Sequence, residues 1–414
     1  MREMFSFLFK LKGNAKPCIL VEPLWGIPMN LYTPFVALFM FSLGLGDTQI
    51  GLILSIGLAS QVVFAFIGGV VTDKYGRRKT TFIAEFFAWS IPTLLWAFSQ
   101  NFWWFVAAAV FNGVRNITLV SFECLWVDEE AEERKVTMVF NWIFICGLLS
   151  VFFAPLAGYF VQVQGVVPVM RVLYIFAFVS MSAKFTLLYI FSKETERGKE
   201  RMEATKNTSL FRLLWGYKDV FAQIFRSREM VKAMVLMALE GITIVIITGF
   251  FALYATQNLD LPEVFLAYFP ILRAVVMLIF MLGIQNKFNR YNTIKVMLAG
   301  LLLYVAAFSL LLSAPAGNWL WIAAFVVIDA CASALFLPRM RGLAAHLIEP
   351  EERARIRSLF HVVVLAVSTP FGALAGVLAD INRQLPFILV LGIFVVMVVF
   401  TGVGFRDKKA AAPL

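Results

Sequence analysis

The chain has little charge and few of the side chains that bind metals or carry out redox chemistry. Only 15% of its 414 residues are Asp, Glu, Lys or Arg, whereas a soluble domain carries roughly 25%. It has two histidines, four cysteines and no Cys-x-x-Cys pair, so we expect no metal site and no cofactor. A Gly-x-x-x-x-Gly-Lys-(Ser/Thr) loop is also absent, which argues against nucleotide use.

Hydrophobic residues are abundant, at 61% of the chain. They occur in blocks of about 20 residues, the length of helix that crosses a bilayer core. The pattern predicts an all-α integral membrane protein with twelve transmembrane helices. We place them near residues 18–43, 48–72, 79–99, 102–126, 135–163, 167–192, 229–256, 263–286, 292–314, 317–346, 355–380 and 384–405.

The formal net charge of +10 is a signal of membrane orientation rather than a nucleic-acid footprint. If both ends lie on one side, that side holds nearly all Lys and Arg outside the spans, and the other side holds only Arg171 and Arg383. Because positive residues favour the cytoplasmic side, we expect a multi-pass protein of the cell membrane with both termini in the cytoplasm. We expect no nucleic-acid partner.

A basic, glycine-containing hairpin separates the second and third predicted spans. It resembles the loop 2–3 signature of the major facilitator superfamily, Gly-x-x-x-Asp-(Arg/Lys)-x-Gly-Arg-(Arg/Lys)-(Arg/Lys). Seven ordered positions match: Gly69, Asp73, Lys74, Gly76, Arg77, Arg78 and Lys79. The resemblance implies a secondary transporter with two six-helix bundles around a central cavity, working by alternating access.

The same resemblance implies a gating role for the hairpin. Asp73 would lie at the start of the eleventh span, and Arg77 would pair with the acidic end of the fourth span, where Asp128 precedes Glu129 and Glu130. Retention of the hairpin in the cytoplasm explains Lys74 and Arg78 equally well. The predicted gating set is Gly69, Asp73, Lys74, Gly76, Arg77, Arg78 and Asp128.

Repeated segments divide the chain into two halves. Thr33-Pro-Phe-Val-Ala-Leu-Phe39 resembles Thr248-Gly-Phe-Phe-Ala-Leu-Tyr254, so six spans map onto six. We predict an N-terminal bundle over 1–192, a cytoplasmic linker over 193–228 and a C-terminal bundle over 229–414. Apolar residues at helical spacing between Leu210 and Phe225 predict an amphipathic interfacial helix within the linker.

Charged residues inside spans are costly in a bilayer and need a reason to be there. Glu22 and Glu240 open the first and seventh spans, each followed by small or helix-breaking residues, and the resemblance implies that these spans line the cavity. A carboxylate in a half-dry cavity takes up protons readily. The proton-coupling candidates are Glu240, Glu22, Glu123 and Asp329. We expect Glu22 to be the better solvated of the first two and its loss to have the weaker effect.

The remaining candidates are substrate-cavity residues. Arg115 is the deepest basic residue of the first half, and Arg273 is the natural charge partner of Asp329. His361 is either a protonation switch or a packing residue. The full set is Arg115, Asn30, Asn112, Asn141, Trp142, Arg273 and His361.

The fifth span bears on the direction of transport. Ala154-Pro155-Leu-Ala-Gly158-Tyr159 matches only part of the Gly-Pro-x-x-Gly-Gly motif of family drug–proton antiporters. The sequence therefore predicts a proton-coupled transporter, not an enzyme, that performs drug or metabolite efflux; proton-coupled uptake of an organic solute is the alternative. A lipid flippase, scramblase or membrane enzyme is the rival from another class. The expected partners are a small-molecule substrate, protons and the lipid bilayer, and we expect a monomer.

Overall fold

The computed structural model describes residues 11–128, 133–209, 227–288, 290–346 and 353–404, and every regular element within them is helical. Ten helices in these ranges, and the shorter Phe265–Ile279, are apolar enough for a membrane. The protein is thus a multi-pass helical membrane protein, which confirms the predicted fold class. Spans 1 to 12 are Ala15–Ser42, Asp47–Tyr75, 77–97, Phe102–Val127, 133–164, Val166–Phe191, Arg228–Asn258, 265–288, Thr293–Leu312, Trp319–His346, Arg353–Ile381 and Leu385–Gly404.

Several spans are built from more than one helical piece. Span 1 tightens into a single turn at Thr33–Phe35 before Val36–Ser42 continues it. Span 5 consists of Glu133–Val151 and Ala154–Gln164, with Pro155 at the start of the second piece. Because proline lacks a backbone N–H, it starts a helix more readily than it continues one. Span 3 contains a wider turn at Phe86–Ser90.

Polar caps fix where other helices begin. Asn101 accepts a hydrogen bond from the backbone N–H of Trp103, and Asn292 accepts from those of Ile294 and Lys295. Such caps satisfy N–H groups that the first helical turn leaves unpaired. They set the starts of spans 4 and 9.

The chain groups into two compact units. Unit 1 comprises 1–36 and 56–218, and unit 2 comprises 37–55 and 219–414. The end of span 1 and the start of span 2 thus group with the second half of the sequence. Of the predicted linker, the structure describes the helix Glu196–Thr205, capped by Thr195; the predicted interfacial helix lies outside the described residues.

Each unit has an aromatic core. In unit 1, Tyr174 is fully buried between Tyr32 and Trp96, with ring centroids 5.1 and 5.4 Å away. In unit 2, the rings of Tyr304 and Phe394 stack 4.4 Å apart and nearly parallel. In unit 1 these contacts join spans 1, 3 and 6, which carry the buried charges described below.

Candidate functional site

The 73–79 loop turns at Gly76, whose φ of 84° favours glycine. The carboxylate of Glu194 accepts hydrogen bonds from the backbone N–H groups of Arg77 and Arg78, at 2.9 and 3.0 Å. It thereby caps the start of span 3 with a negative charge, where the helix dipole favours one. The sequence did not single out Glu194, because it lies more than a hundred residues away along the chain.

Arg77 is the buried centre of this loop, with a side chain 4% exposed. Its Nη1 lies 3.0 Å from Asp73 Oδ1, and its Nε lies 2.9 Å from Asp128 Oδ2. The contact with Asp128 is the one that the family resemblance implied. Glu129 and Glu130, the other members of the predicted acidic group, lie outside the described residues.

Lys74 and Arg78 also have protein partners. Arg78 donates two hydrogen bonds to the carbonyl of Tyr189, at 2.6 and 2.9 Å, and its guanidinium lies 4.1 Å from the centre of the Tyr189 ring. Lys74 Nζ donates to the carbonyl of Thr208 at 2.7 Å. Arg78 thus ties the loop to the last turns of span 6, and Lys74 ties it to the segment that follows span 6. We call the end of unit 1 formed by 73–79 and 192–206 the basic end.

Three charged side chains from different spans meet inside unit 1. Lys184 Nζ of span 6 lies 3.2 Å from Glu22 Oε2 of span 1 and 3.7 Å from Glu85 Oε1 of span 3. The three side chains are 4%, 10% and 7% exposed, respectively. We call this group the unit 1 triad. The expectation that Glu22 is well solvated is wrong, because span 1 turns it towards Lys184.

Arg115 is the other deep cation of unit 1. Its Nη2 donates a hydrogen bond to Gln61 Oε1 at 2.7 Å. Within the described ranges, no carboxylate lies within ion-pair distance of it. A guanidinium held only by an amide retains donors for an anionic or polar group.

Unit 2 contains an ion pair within a hydroxyl network. Arg273 Nε donates to Asp329 Oδ2 at 2.8 Å, and its Nη2 donates to Ser333 Oγ at 2.7 Å. The hydroxyls of Ser333 and Tyr304 are hydrogen-bonded at 2.8 Å. The predicted pairing of Arg273 with Asp329 is therefore present. The Arg273 side chain is 45% exposed, in contrast to the triad.

Glu240 lies near the middle of the first helix of span 7, Arg228–Leu253. Its carboxylate has no hydrogen-bond or ion-pair partner among the described residues, although the charges of Arg273 and Arg341 act on it. Gly241 continues the helix, and its small size allows span 11 to approach: a Cβ there would lie 2.7 Å from Val364.

Most of the other predicted residues have local or packing roles. Asn30 donates to the carbonyl of Gly26 and Asn112 to that of Ala88, both at 2.8 Å. Trp142, on span 5, belongs to a buried apolar cluster with residues of spans 1, 4 and 6. The structure leaves Asn141 and His361 exposed, Glu123 half-buried and Gly69 half-buried.

A second ion pair lies within unit 2, between residues that the sequence did not single out. Arg383 Nε donates to Asp47 Oδ2 at 2.8 Å, and the Thr48 hydroxyl donates to Asp380. Beside them, Gly51 packs directly on the backbone at Gly372 and Gly376. Small residues that let two helices approach closely are typical of helix contacts in membranes.

The sequence model of one protein family matches most of this chain. The model of the Major Facilitator Superfamily matches residues 25–294. The chain belongs to the Major Facilitator Superfamily. Membership places it among membrane transporters rather than enzymes, as its loop 2–3 signature implied.

Curated relatives match this superfamily member over shorter stretches. An uncharacterized MFS-type transporter, YqjV of Bacillus subtilis, is 24% identical over 153 residues, which is 36% of this chain and 37% of the relative. The multi-drug resistance efflux pump PmrA of Streptococcus pneumoniae is 33% identical over 107 residues, which is 25% of this chain and 27% of the pump. The chain thus spans well under half the length of either relative.

Solved structures match the fold along nearly the whole chain. The nucleoside transporter NupG, as a D323A mutant, superposes with a TM-score of 0.74. The match covers 94% of this chain and 99% of that one, at 17% identity. At this identity the likeness shows the fold alone.

Proposed function

We propose that this protein is a secondary active transporter that exports a small organic solute in exchange for protons. The proposal rests on one observation, the carboxylate of Glu240 without a partner among the described residues. It lies twelve residues into span 7, about 18 Å along a helix that rises 1.5 Å per residue. An ionised carboxylate at that depth is costly unless it is paired or takes up a proton.

The surroundings of Glu240 support an exchange between proton and solute. The charged groups that act on it electrostatically are Arg273 and Arg341, with no second acid among them. Arg273 is half-exposed and holds Asp329. A solute that engages Arg273 would alter the field at Glu240, which is the kind of linkage that coupling requires.

The direction of transport is proposed from a relative. The similar stretch of the pneumococcal protein belongs to a multi-drug resistance efflux pump. We therefore propose efflux of an organic solute across the cell membrane by a monomer that works by alternating access. A central charge on each unit, Arg115 in unit 1 and Glu240 in unit 2, suits a solute that combines polar and apolar groups.

The test is solute accumulation in proteoliposomes under an imposed pH gradient. A thermal-shift screen of drug, sugar, amino-acid, nucleoside and organic-acid panels first supplies the solute. Glu240→Gln keeps the shape and hydrogen bonding of the side chain but cannot carry the proton, so accumulation against a gradient should be lost while downhill exchange persists. Glu229→Gln is the matched control, since Glu229 lies at the start of the same span and pairs with Lys232 at 2.9 Å.

Two results would contradict the proposal. Uphill accumulation by E240Q at the wild-type pH dependence would remove Glu240 from the coupling step. Accumulation driven towards the cytoplasm by an inward proton gradient would make the protein an uptake system.

The proposed orientation has its own test. Residues Gln164 and Lys199 are both exposed, on opposite sides of span 6. Cysteines placed there, in a cysteine-free background, should react differently with an impermeant thiol reagent in intact cells. We expect Q164C to react and K199C to be protected; the reverse pattern would put the termini outside.

A further inference from the structure

The unit 1 triad brings three charges to one depth of the membrane. Glu22 is seven residues after the start of span 1, Glu85 eight after the start of span 3, and Lys184 seven before the end of span 6. At 1.5 Å per residue, all three lie about 10–12 Å from the basic end. Three spans that are distant in sequence thus each place an ionic group at the same level.

The triad is sealed from its surroundings. Its side chains are at most 10% exposed. The ammonium of Lys184 is also enclosed by three aromatic rings, whose centroids lie 5.0–5.6 Å from Nζ: Trp25, Phe122 and Phe185. Rings at this distance attract a cation and exclude water. Lys184 is therefore held in its charged form at the centre of the group.

One ammonium does not neutralise two carboxylates. With all three groups ionised, the triad would carry one uncompensated negative charge in a dry environment, which is strongly unfavourable. The closer acid is Glu22, at 3.2 Å, and the farther acid is Glu85, at 3.7 Å. The imbalance disappears when the pair of acids holds one proton, because like charges that share a site do not both ionise.

The geometry points to the atom that takes the proton. Glu85 Oε2 is buried and has no hydrogen-bond partner among the described residues, while Oε1 of the same carboxylate faces Lys184. The other titratable groups within electrostatic reach are the thiols of Cys18 on span 1 and Cys146 on span 5. Span 4 contributes the ring of Phe122. No further cation within the described residues compensates the second acid.

Glu85 also lies close to the basic end. It lines a narrow cleft together with Thr81, Ser192 and Arg78. Arg78 and Ser192 belong to the basic end, so Glu85 is the acid of the triad that lies nearest to them along this cleft. The hydroxyl of Ser192 is buried without a hydrogen-bond partner among the described residues, so it retains the capacity to donate and to accept a hydrogen bond.

The structure assigns to Glu22, Glu85 and Lys184 a proton-binding site, separate from Glu240, in which the two acids share one exchangeable proton. A proton from water at the basic end binds Glu85 Oε2, the carboxylate becomes a carboxylic acid, and the triad passes from one excess negative charge to neutrality. Release returns the proton to water, and no other bond changes. This site does not depend on the proposed direction, solute or coupling role of Glu240.

Infrared difference spectroscopy tests the site without a transport assay. The protein would carry Glu240→Gln throughout, because a protonated Glu240 would add its own carbonyl band, and would be studied in lipid nanodiscs at neutral pH. We expect a carbonyl band of a protonated carboxylic acid that is lost in E85Q and equally lost in E22Q, since removal of either acid leaves a neutral pair with Lys184. Glu196→Gln, at an exposed position of the linker helix, should leave the band intact.

A third variant should change the intensity of the carbonyl band in the opposite direction. In K184M both acids lose their cation, so both should be protonated and the band should grow about twofold. Should K184M fail to fold, E85Q and E22Q decide the question alone. A band that persists unchanged in both E85Q and E22Q, or that is absent from the parent, would overturn the shared proton.

Discussion

The two units differ in how far their intramembrane charged side chains are enclosed and paired. Unit 1 encloses Lys184 between two acids and three aromatic rings. Unit 2 leaves Arg273 half-exposed beside Asp329 and leaves Glu240 without a partner among the described residues. The charges of the triad compensate one another within the protein, whereas the half-exposed Arg273 is also accessible to a solute. We interpret the triad of unit 1 as a buried group that binds only protons, and the charges of unit 2 as the group that also responds to the solute.

The largest expected difference between the units is in stability. Lys184→Met would leave two buried carboxylates without their cation, and removal of one partner from a buried ion pair costs about 3–5 kcal/mol. Glu85→Gln removes only the excess acid, so it should be nearly neutral. Unfolding of the purified variants in detergent would measure both. K184M with wild-type stability would show that the triad is not dry.

The corresponding change in unit 2 should have a smaller effect. Asp329→Asn keeps a hydrogen-bond acceptor for Arg273, whose half-exposed side chain retains access to other partners. We expect a loss of about 1–2 kcal/mol by the same unfolding measurement. Ser333→Ala, which removes one neutral hydrogen bond from Arg273, is the matched control and should cost less. A loss of stability in Asp329→Asn as large as that in Lys184→Met would mean that the two units do not differ in how strongly their ion pairs stabilise them.

The sequence was sufficient for the fold and for local patterns. The apolar blocks located the spans, and the loop 2–3 signature identified the family. Two intramembrane charges in one half, Arg273 and Asp329, were enough to predict their ion pair, because few other partners exist there. Each of these inferences needs only composition, spacing or the scarcity of charge in a membrane.

The triad could not be predicted from the sequence, for a physical reason. Which face of a helix turns inward depends on tertiary packing, and the hydrophobic pattern of a span in lipid is too uniform to show it. Glu85 was overlooked and Glu22 was expected to be solvated, yet packing of spans 1, 3 and 6 brings both to Lys184. The cap by Glu194 was likewise invisible, since its two partners follow span 2.

The smallest expected loss of stability concerns the basic end of unit 1. Glu194→Gln would weaken the two hydrogen bonds that start span 3, because an amide accepts them less strongly than a carboxylate does. The loss of a helix cap costs about 1 kcal/mol, so this change should cost less than that. Glu196→Gln, two residues away and exposed, should change nothing measurable. Equal stability of the two variants would mean that the cap adds nothing to unit 1.

The most direct test of the role proposed for Glu240 measures proton movement while the solute is transported. Proteoliposomes loaded with a pH-sensitive dye would receive the solute found by thermal shift, with no pH gradient imposed. Wild-type protein should move protons in the direction opposite to the solute, and E240Q should move solute down its gradient without protons. Proton movement by E240Q equal to that of the wild type, or solute movement by the wild type without any protons, would contradict the account.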